Sequence, residues 1–186
     1  MRVIAGKARR LPLKTVKGMN TRPTTDRIKE TLFNMINNKL PNANFLDLYS
    51  GSGAIGIEAL SRGAKYTVFV ENNREAVTCI KENLRFTRLE DSGEILFQSV
   101  KTALTELSDR NVRFDFVFMD PPYHQLYEKD VLIFLSKSDL IDRKSQIIVE
   151  AALETDFSYV EDLGYEIVKE KKYKTNKHLF LKVTGN

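Results

Sequence analysis

Asp120-Pro121-Pro122-Tyr123 is the segment whose residue types most constrain the chemistry of this chain. Two prolines fix φ and remove two N–H donors, leaving carbonyls and a carboxylate held with little freedom. Such a turn binds an anion poorly and holds an amine well. An exocyclic amine of guanine, adenine or cytosine is a weak nucleophile, because its lone pair is delocalised into the ring. If Asp120 and the Pro121 carbonyl each accept one amine N–H, the nitrogen is drawn toward tetrahedral geometry and its lone pair is aimed outward. Alignment of that kind lowers a barrier mainly by positioning. Tyr123 adds a ring on which a base can stack, worth roughly 1–3 kcal/mol. The target base must leave its stack, or already be single-stranded, to reach such a pocket. Asp120, Pro121, Pro122 and Tyr123 are the expected catalytic residues, and His124 is read as rim. The bland alternative is a Pro-Pro turn with a helix-capping Asp.

A second constellation is the glycine turn Asp47-Leu48-Tyr49-Ser50-Gly51-Ser52-Gly53-Ala54-Ile55-Gly56. It holds a G-x-G-x-x-G between an apolar strand-like run and a helical one, where glycines let the backbone turn tightly and approach a ligand. Glu71 stands 20 residues after Gly51, at the end of the next apolar run, where a carboxylate can accept the hydroxyls of an adenosine ribose. These parts suit either a dinucleotide or S-adenosylmethionine. Asp47 favours the latter, since a carboxylate there repels a pyrophosphate and can hold the cationic end of a methionine moiety. Asp47, Tyr49, Ser50, Gly51, Ser52, Gly53, Gly56, Glu71 and Asn72 are therefore expected to bind that cofactor. The alternatives for this turn are an ordinary βα connection or, for Asp47 alone, a local cap.

The elements that must position these residues follow from periodicity. Runs at 45–49, 66–70, 95–97, 114–119 and 147–149 read as strands, with helices expected over 54–62, 74–86 and 101–107. Alternating βα units imply a mostly parallel sheet covered on both faces. Two later strands, 165–168 and 178–183, lack a helix between them and are expected to pair as an antiparallel ribbon. Upstream, residues 2–5 and 10–13 form a plausible hairpin turning at Gly6-Lys7, and Thr24 or Thr25 can cap a helix that Pro41 ends. The expectation is a single α/β domain over 1–186, with a basic arm or hairpin over 1–22, a helix over 23–40 and a core over 44–186.

Composition narrows the class further. The chain has 186 residues, 42% hydrophobic and 29% charged, and a single cysteine, which rules out an internal disulfide and suits a reducing cytoplasm. Cys79 reads as a core residue. His124 and His178 are too far apart to suggest zinc, and no metal is expected. No apolar run approaches a membrane span, and no N-terminal signal core is visible. Net charge is +4, yet residues 1–30 carry nine basic side chains against two acidic ones, so the remainder is mildly acidic. A basic arm on such a body is the electrostatic footprint of a nucleic-acid binder, although a solvated terminus would carry the same charges.

Residues 1–7 (Met-Arg-Val-Ile-Ala-Gly-Lys), the run Thr21-Arg22-Pro23-Thr24-Thr25-Asp26-Arg27-Ile28-Lys29-Glu30, Asp47 to Gly53, and Asp120 to Tyr123 resemble the RsmD-type 16S ribosomal RNA guanine-N2 methyltransferases of bacteria. The similarity spans nearly the whole chain, and the arginine-proline-threonine run is its most specific part. It implies a Rossmann-like class I methyltransferase fold, with a seven-stranded, mostly parallel sheet and an antiparallel C-terminal ribbon. It also implies S-adenosylmethionine as methyl donor and a guanine of 16S rRNA, free or in an assembling small subunit, as target. RNA contact is then expected at Arg2, Lys7, Arg9, Arg10, Arg22, Thr24 and Arg27, in agreement with the charge count. A cytoplasmic monomer is expected. Two departures stand out. Where such enzymes often place an acidic or amide residue for adenine, this chain reads Phe97-Gln98-Ser99-Val100, which leaves Ser99 or a backbone carbonyl. Where they carry a glycine turn near the C-terminus, it reads Lys172-Tyr173-Lys174-Thr175. An adenine-N6 methyltransferase of DNA or RNA, a non-catalytic ribosome-assembly factor and a nicotinamide oxidoreductase remain as other readings.

Overall fold

A computed structural model describes residues 1–16, 26–123 and 125–184. Seven strands run in the order β3-β2-β1-β4-β5-β7-β6; the pairs β1–β2, β2–β3 and β4–β5 are parallel, and the pairs β5–β7 and β7–β6 are antiparallel, so that β7 alone runs against its neighbours. The expected seven-stranded, mostly parallel sheet with an antiparallel C-terminal ribbon is what the chain forms. It divides into two compact units, residues 1–99 and 100–186.

The first unit holds α1 (Asp26–Ile36), β1 (Asn44–Leu48), α2 (Ala54–Ser61), β2 (Tyr66–Glu71), α3 (Arg74–Thr87) and β3 (Gly93–Phe97). Helix α1 is shorter than expected: it gives way to a 3-10 turn at Asn37–Lys39 before Pro41 is reached. Thr24 and Thr25, its expected caps, lie outside the described residues. Strands β1 and β2 are buried along almost their whole length, as parallel strands covered on both faces must be. Helix α3 is amphipathic, and Asn73 caps it by accepting from the N–H groups of Glu75 and Ala76 at 2.9 and 3.0 Å.

The N-terminal arm is a docked hairpin. Arg2 pairs with Pro12, the N–H of Val3 donates to Leu11 and that of Arg10 to Val3. Val3, Ala8 and Leu13 are buried. The hairpin sits on α2 through Ser61, whose carbonyl accepts the Lys7 N–H at 2.8 Å and whose hydroxyl bonds both Ala8 N–H and the Ala5 carbonyl. Only glycine fits at position 6, where φ is +83° and a Cβ would lie 1.8 Å from the Ser61 carbonyl oxygen.

The second unit holds α4 (Val100–Asp109), β4 (Phe116–Met119), α5 (Tyr127–Leu135), β5 (Gln146–Ala152), β6 (Tyr165–Lys172) and β7 (Asn176–Val183). Strand β4 starts two residues later than its apolar pattern suggests, β5 runs three residues longer at its end, and β6 and β7 are both longer than expected. Helix α5 has no counterpart among the expected elements. Strands β4 and β5 are buried nearly throughout, and β7 through its first six residues. Strand β6 is the sheet edge: past Tyr165 all its residues are exposed, and its pairing with β7 slips at a bulge between Ile167 and Lys169.

Candidate active site

In the first unit, the glycine turn links β1 to α2, and two buried carboxylates shape it. Asp47 is 1% exposed, and its Oδ2 accepts the Gly56 N–H of α2 at 2.9 Å. Burial pushes its carboxyl well above the usual range, against the lowering effect of that hydrogen bond. Asp47 thus ties the strand to the helix that follows. Ser50 closes the turn from within, its hydroxyl donating to the Asp47 carbonyl at 2.6 Å. The third glycine of the motif is fixed by close packing: a Cβ at Gly56 would lie 2.3 Å from Cε1 of Phe69 on β2.

Glu71, at the end of β2, is 7% exposed. Its Oε2 accepts the Gly51 N–H at 2.8 Å, and its Oε1 accepts those of Asn72 and Asn73, both at 2.9 Å. A carboxylate has about four acceptor positions, so three backbone donors leave Oε2 one more hydrogen bond to accept. The turn and Glu71 therefore form one piece, with Gly51 at its rim. A Cβ built on Gly51 meets nothing within 4 Å, and the residues present fit an adenosine ribose laid against that open face. Tyr49 takes a left-handed backbone at φ +60°; Tyr49 and Ser52 are partly exposed, Gly53 is buried, and Asn72 and Ser99 are exposed. The structure brings Asp47, Ser50, Gly51, Gly56, Glu71 and Asn72 into one hydrogen-bonded group, and Ser99 follows the end of β3.

Asn83 on α3 belongs to this arrangement although its sequence context gives no sign of it. It is 1% exposed, and its amide donates to the carbonyls of Ser52 and Lys14 while its oxygen accepts the Lys14 N–H. One side chain thus joins the glycine turn to the end of the hairpin. Glu58 is a second such residue. It lies on the apolar face of α2, fully buried, and accepts the N–H groups of Ile4 and Ala5 at 2.8 and 3.1 Å and Arg62 Nε at 2.7 Å. Lys29 Nζ stands 3.4 Å away and donates to the Arg2 carbonyl at 2.6 Å. Burial pulls the Lys29 ammonium down from its ordinary value and Glu58 partly restores it. A carboxylate in the middle of an otherwise apolar helix is the signal that could have found Glu58.

The hairpin and α1 enclose a groove of about 500 Å³ lined by Arg2, Arg9, Arg10 and Arg27, with Asp26 and Glu30 on its α1 side. Arg2 is paired with Asp26, its backbone N–H donating to that carboxylate at 3.1 Å. All four arginines are exposed, as is Lys7, which is not among the residues that line the groove. Arg22 and Thr24 lie outside the described residues.

In the second unit, β4 ends at Met119 and the tetrapeptide follows directly. Pro121 is buried, Asp120 partly exposed, Pro122 exposed, and Tyr123 39% exposed. The missing N–H of Pro121 stops the strand ladder at the residue after Asp120. Burial, with help from the nearby Asp120 and Glu150 carboxyls, pushes the Tyr123 phenol far upward. The phenol is therefore a donor, and the ring presents an exposed surface. His124 lies outside the described residues. Among the described residues no group of three or more His, Cys, Asp or Glu is placed to hold a metal, and no helix is long and apolar enough to cross a membrane.

Known proteins resemble this chain over most of its length. The family model described as conserved hypothetical protein 95 matches residues 1–182. A Bacillus subtilis protein, YlbH, is 37% identical over 150 residues, which cover 81% of this chain and 82% of that one. The ribosomal RNA small subunit methyltransferase D of Haemophilus influenzae is 33% identical over 174 residues, 92% of this chain and 88% of its own. A solved structure of a hypothetical protein from Thermus thermophilus superposes with a TM-score of 0.83 at 29% identity, covering 98% and 99% of the two chains. The S-adenosylmethionine-dependent methyltransferase of Agrobacterium tumefaciens shares the fold at a TM-score of 0.66 and 15% identity, covering 89% of this chain and 63% of that one. The chain belongs to the conserved hypothetical protein 95 family, that of the RsmD-type S-adenosylmethionine-dependent methyltransferases.

Proposed function

We propose that this protein transfers a methyl group to the exocyclic N2 amine of a guanine in the 16S rRNA of the small ribosomal subunit, in the cytoplasm and as a monomer. The observation that carries the reading is a chain of this family whose fourth strand runs directly into Asp120-Pro121-Pro122-Tyr123. When bound, S-adenosylmethionine supplies an electrophilic sulfonium methyl. Glu71, with one acceptor position left on Oε2, is suited to a ribose hydroxyl, and Gly51 leaves room beside it. Asp47 is suited to orient this turn through Gly56 rather than to reach far into solvent, while Tyr49, Ser50, Ser52, Gly53, Asn72 and Ser99 border the cofactor. Asp120 and the Pro121 carbonyl accept the two N–H groups of the target amine, Pro122 stiffens that turn, and the flipped guanine stacks on Tyr123. A proton must leave the methylated nitrogen, and Asp120 or solvent can take it.

RNA binding is assigned to the arginine groove. Guanidinium groups suit phosphodiester oxygens by geometry and charge, and Arg2, Arg9, Arg10 and Arg27 converge on one concavity, with Lys7, Arg22 and Thr24 flanking it in sequence. Incubation of the protein with labelled S-adenosylmethionine and unmodified small subunits, followed by nucleoside mass spectrometry, tests the whole reading. N2-methylguanosine is expected. N6-methyladenosine would replace guanine by adenine as target, and no methylated nucleoside would leave an RNA-binding assembly factor.

A further inference from the structure

The stretch Lys169-Glu170-Lys171-Lys172-Tyr173-Lys174 holds four lysines against one glutamate, on a chain whose residues beyond 30 are acidic on balance. All of it is exposed except Tyr173, which is half-buried. It covers the end of β6 and the start of the turn into β7.

Strand register places that turn at a definite edge of the sheet. Met119 pairs with Val149, Val149 with Leu179 and Leu179 with Glu170, so these four form one row across β4, β5, β7 and β6. Asp120 to Tyr123 leave β4 just past that row. Strand β6 runs in the same direction as β4, so Lys171, Lys172 and the turn lie past the row on the same side. Three interstrand steps separate β4 from β6, about 14 Å in all. Roughly four stacked nucleotides cover that distance.

The turn is pinned from below. The Tyr173 N–H donates to the Asn176 carbonyl at 2.8 Å, and its hydroxyl lies 3.4 Å from His178 Nδ1, with the two rings edge to face at 5.1 Å. Asn176 Nδ2 donates in turn to Glu150 Oε1 at 2.5 Å, and His178 Nε2 lies 3.0 Å from Glu150 Oε2, all three side chains being buried. Lys177 is turned inward, its Nζ donating to the Thr155 carbonyl at 2.8 Å. One lysine of the ribbon is thus spent inside, while Lys171, Lys172 and Lys174 stand outside a turn that is already held. A cationic surface of that kind loses little freedom when an anion binds. Protection of the sheet edge explains charge along β6, but charge of either sign serves that purpose, and Lys174 lies beyond the strand. Lys172 does stand 3.1 Å from Glu170, in an exposed pair that is weak in water and open to exchange with a phosphate.

We propose that Lys171, Lys172 and Lys174 form a phosphate-binding surface that takes the RNA backbone beside the target base. The inference rests on the reading that this base is held at Asp120 to Tyr123, and it extends RNA contact from the arginine groove of the first unit to the second.

The test compares the triple variant Lys171→Ala, Lys172→Ala, Lys174→Ala with a control of equal charge change, Lys137→Ala, Lys144→Ala, Lys182→Ala. All three control lysines are exposed; Lys144 and Lys182 lie at the opposite end of β5, and Lys137 follows α5. Binding to unmodified small subunits is measured by filter retention across a salt series. In the turn variant the slope of log K against log salt should flatten by about 2–3, the loss of three phosphate contacts, and the control should keep the slope of the parent. KM for the subunit should rise with kcat unchanged, S-adenosylhomocysteine affinity should stay within twofold, and Tm within about 3 °C. A slope equal to that of the parent, or the same flattening in the control, would overturn the assignment. Weaker binding at an unaltered slope would overturn it in favour of a ribosomal protein as partner, because phosphate contacts carry the salt dependence. Binding needs no turnover, so the two readings fail separately. A flattened slope in a protein that methylates nothing would sink methyl transfer and keep the turn, whereas methylation with an unaltered slope would sink the turn alone.

Discussion

Replacing Gly6 by alanine should undock the N-terminal hairpin while leaving every charge in place. The new methyl would lie 1.8 Å from the Ser61 carbonyl oxygen, 2.3 Å from its carbon and 2.8 Å from the Arg62 nitrogen, all of them backbone atoms inside or at the end of α2. No side-chain rotation relieves such a contact, so the hairpin must back away from the helix. Retreat breaks the three hydrogen bonds to Ser61, each worth about 1 kcal/mol net. Holding alanine at positive φ adds roughly 1–2 kcal/mol. The expected loss is about 4 kcal/mol, which for a chain of this length is a fall in Tm of about 8–16 °C. Hydrogen exchange should locate the effect, with lost protection at Ile4 and Ala5, whose N–H groups bind Glu58. RNA affinity should fall as well, because Arg2, Arg9 and Arg10 ride on the hairpin. A Tm change below about 3 °C, with unchanged exchange at those two amides, would refute the reasoning.

Other expectations concern the sites themselves. Asp120→Ala should nearly abolish methyl transfer yet leave S-adenosylhomocysteine affinity within a few-fold; full activity would remove Asp120 from the chemistry. Glu71→Ala should weaken cofactor binding by about 2 kcal/mol and also lower Tm, since three backbone N–H groups lose their acceptor, and a calorimetric affinity equal to that of the parent would leave Glu71 to the fold alone. Arg9→Ala with Arg10→Ala should weaken RNA binding and flatten its dependence on salt; a filter-binding salt titration with an unaltered slope would take the groove out of RNA recognition. Asp47→Asn probes a carboxyl whose folded pKa is raised by burial. For such a group the folded state favours the protonated form, so stability is fully present below the unfolded value near 4 and is lost as pH rises through the folded one. The variant should therefore gain on the parent as pH rises across that window in urea melts without cofactor, and a difference independent of pH would contradict the assignment.

Much of the sheet is legible because its strands are short, apolar and punctuated, and the glycine turn and the Pro-Pro turn each stand directly after such a run. What escapes has specific causes. Helix α5 carries no capping signal: its N-cap is Leu126 in a left-handed conformation, without a side-chain hydrogen bond. The run Val131 to Leu135 within it is as apolar as a strand. Glu58, Asn83 and Glu150 look like ordinary polar residues, since their roles lie in contacts with residues 26 to 69 positions away. Asp47 and Glu71 are legible as special positions, yet their spacing says nothing of the backbone donors they satisfy. The hairpin is legible as a basic segment, but charge alone does not reveal that Val3, Ala8 and Leu13 seat it on the body.

Strand β6 closes the sheet with a row of exposed residues that includes Glu166, Lys169, Glu170, Lys171 and Lys172, interrupted by the bulge at Ile167 and Lys169. An open edge is a template on which another extended chain can grow, and its hazard rises with flatness and with apolar side chains. Here the bulge breaks the register that an incoming strand would need, and the lysines and glutamates keep the edge charged and hydrated. The two exposed apolar residues of the strand, Ile167 and Val168, sit at the kink itself. The edge is thereby a poor seed for fibrillar aggregation, and deleting Val168, which straightens it, would remove one of its two protections and leave the charges as the other.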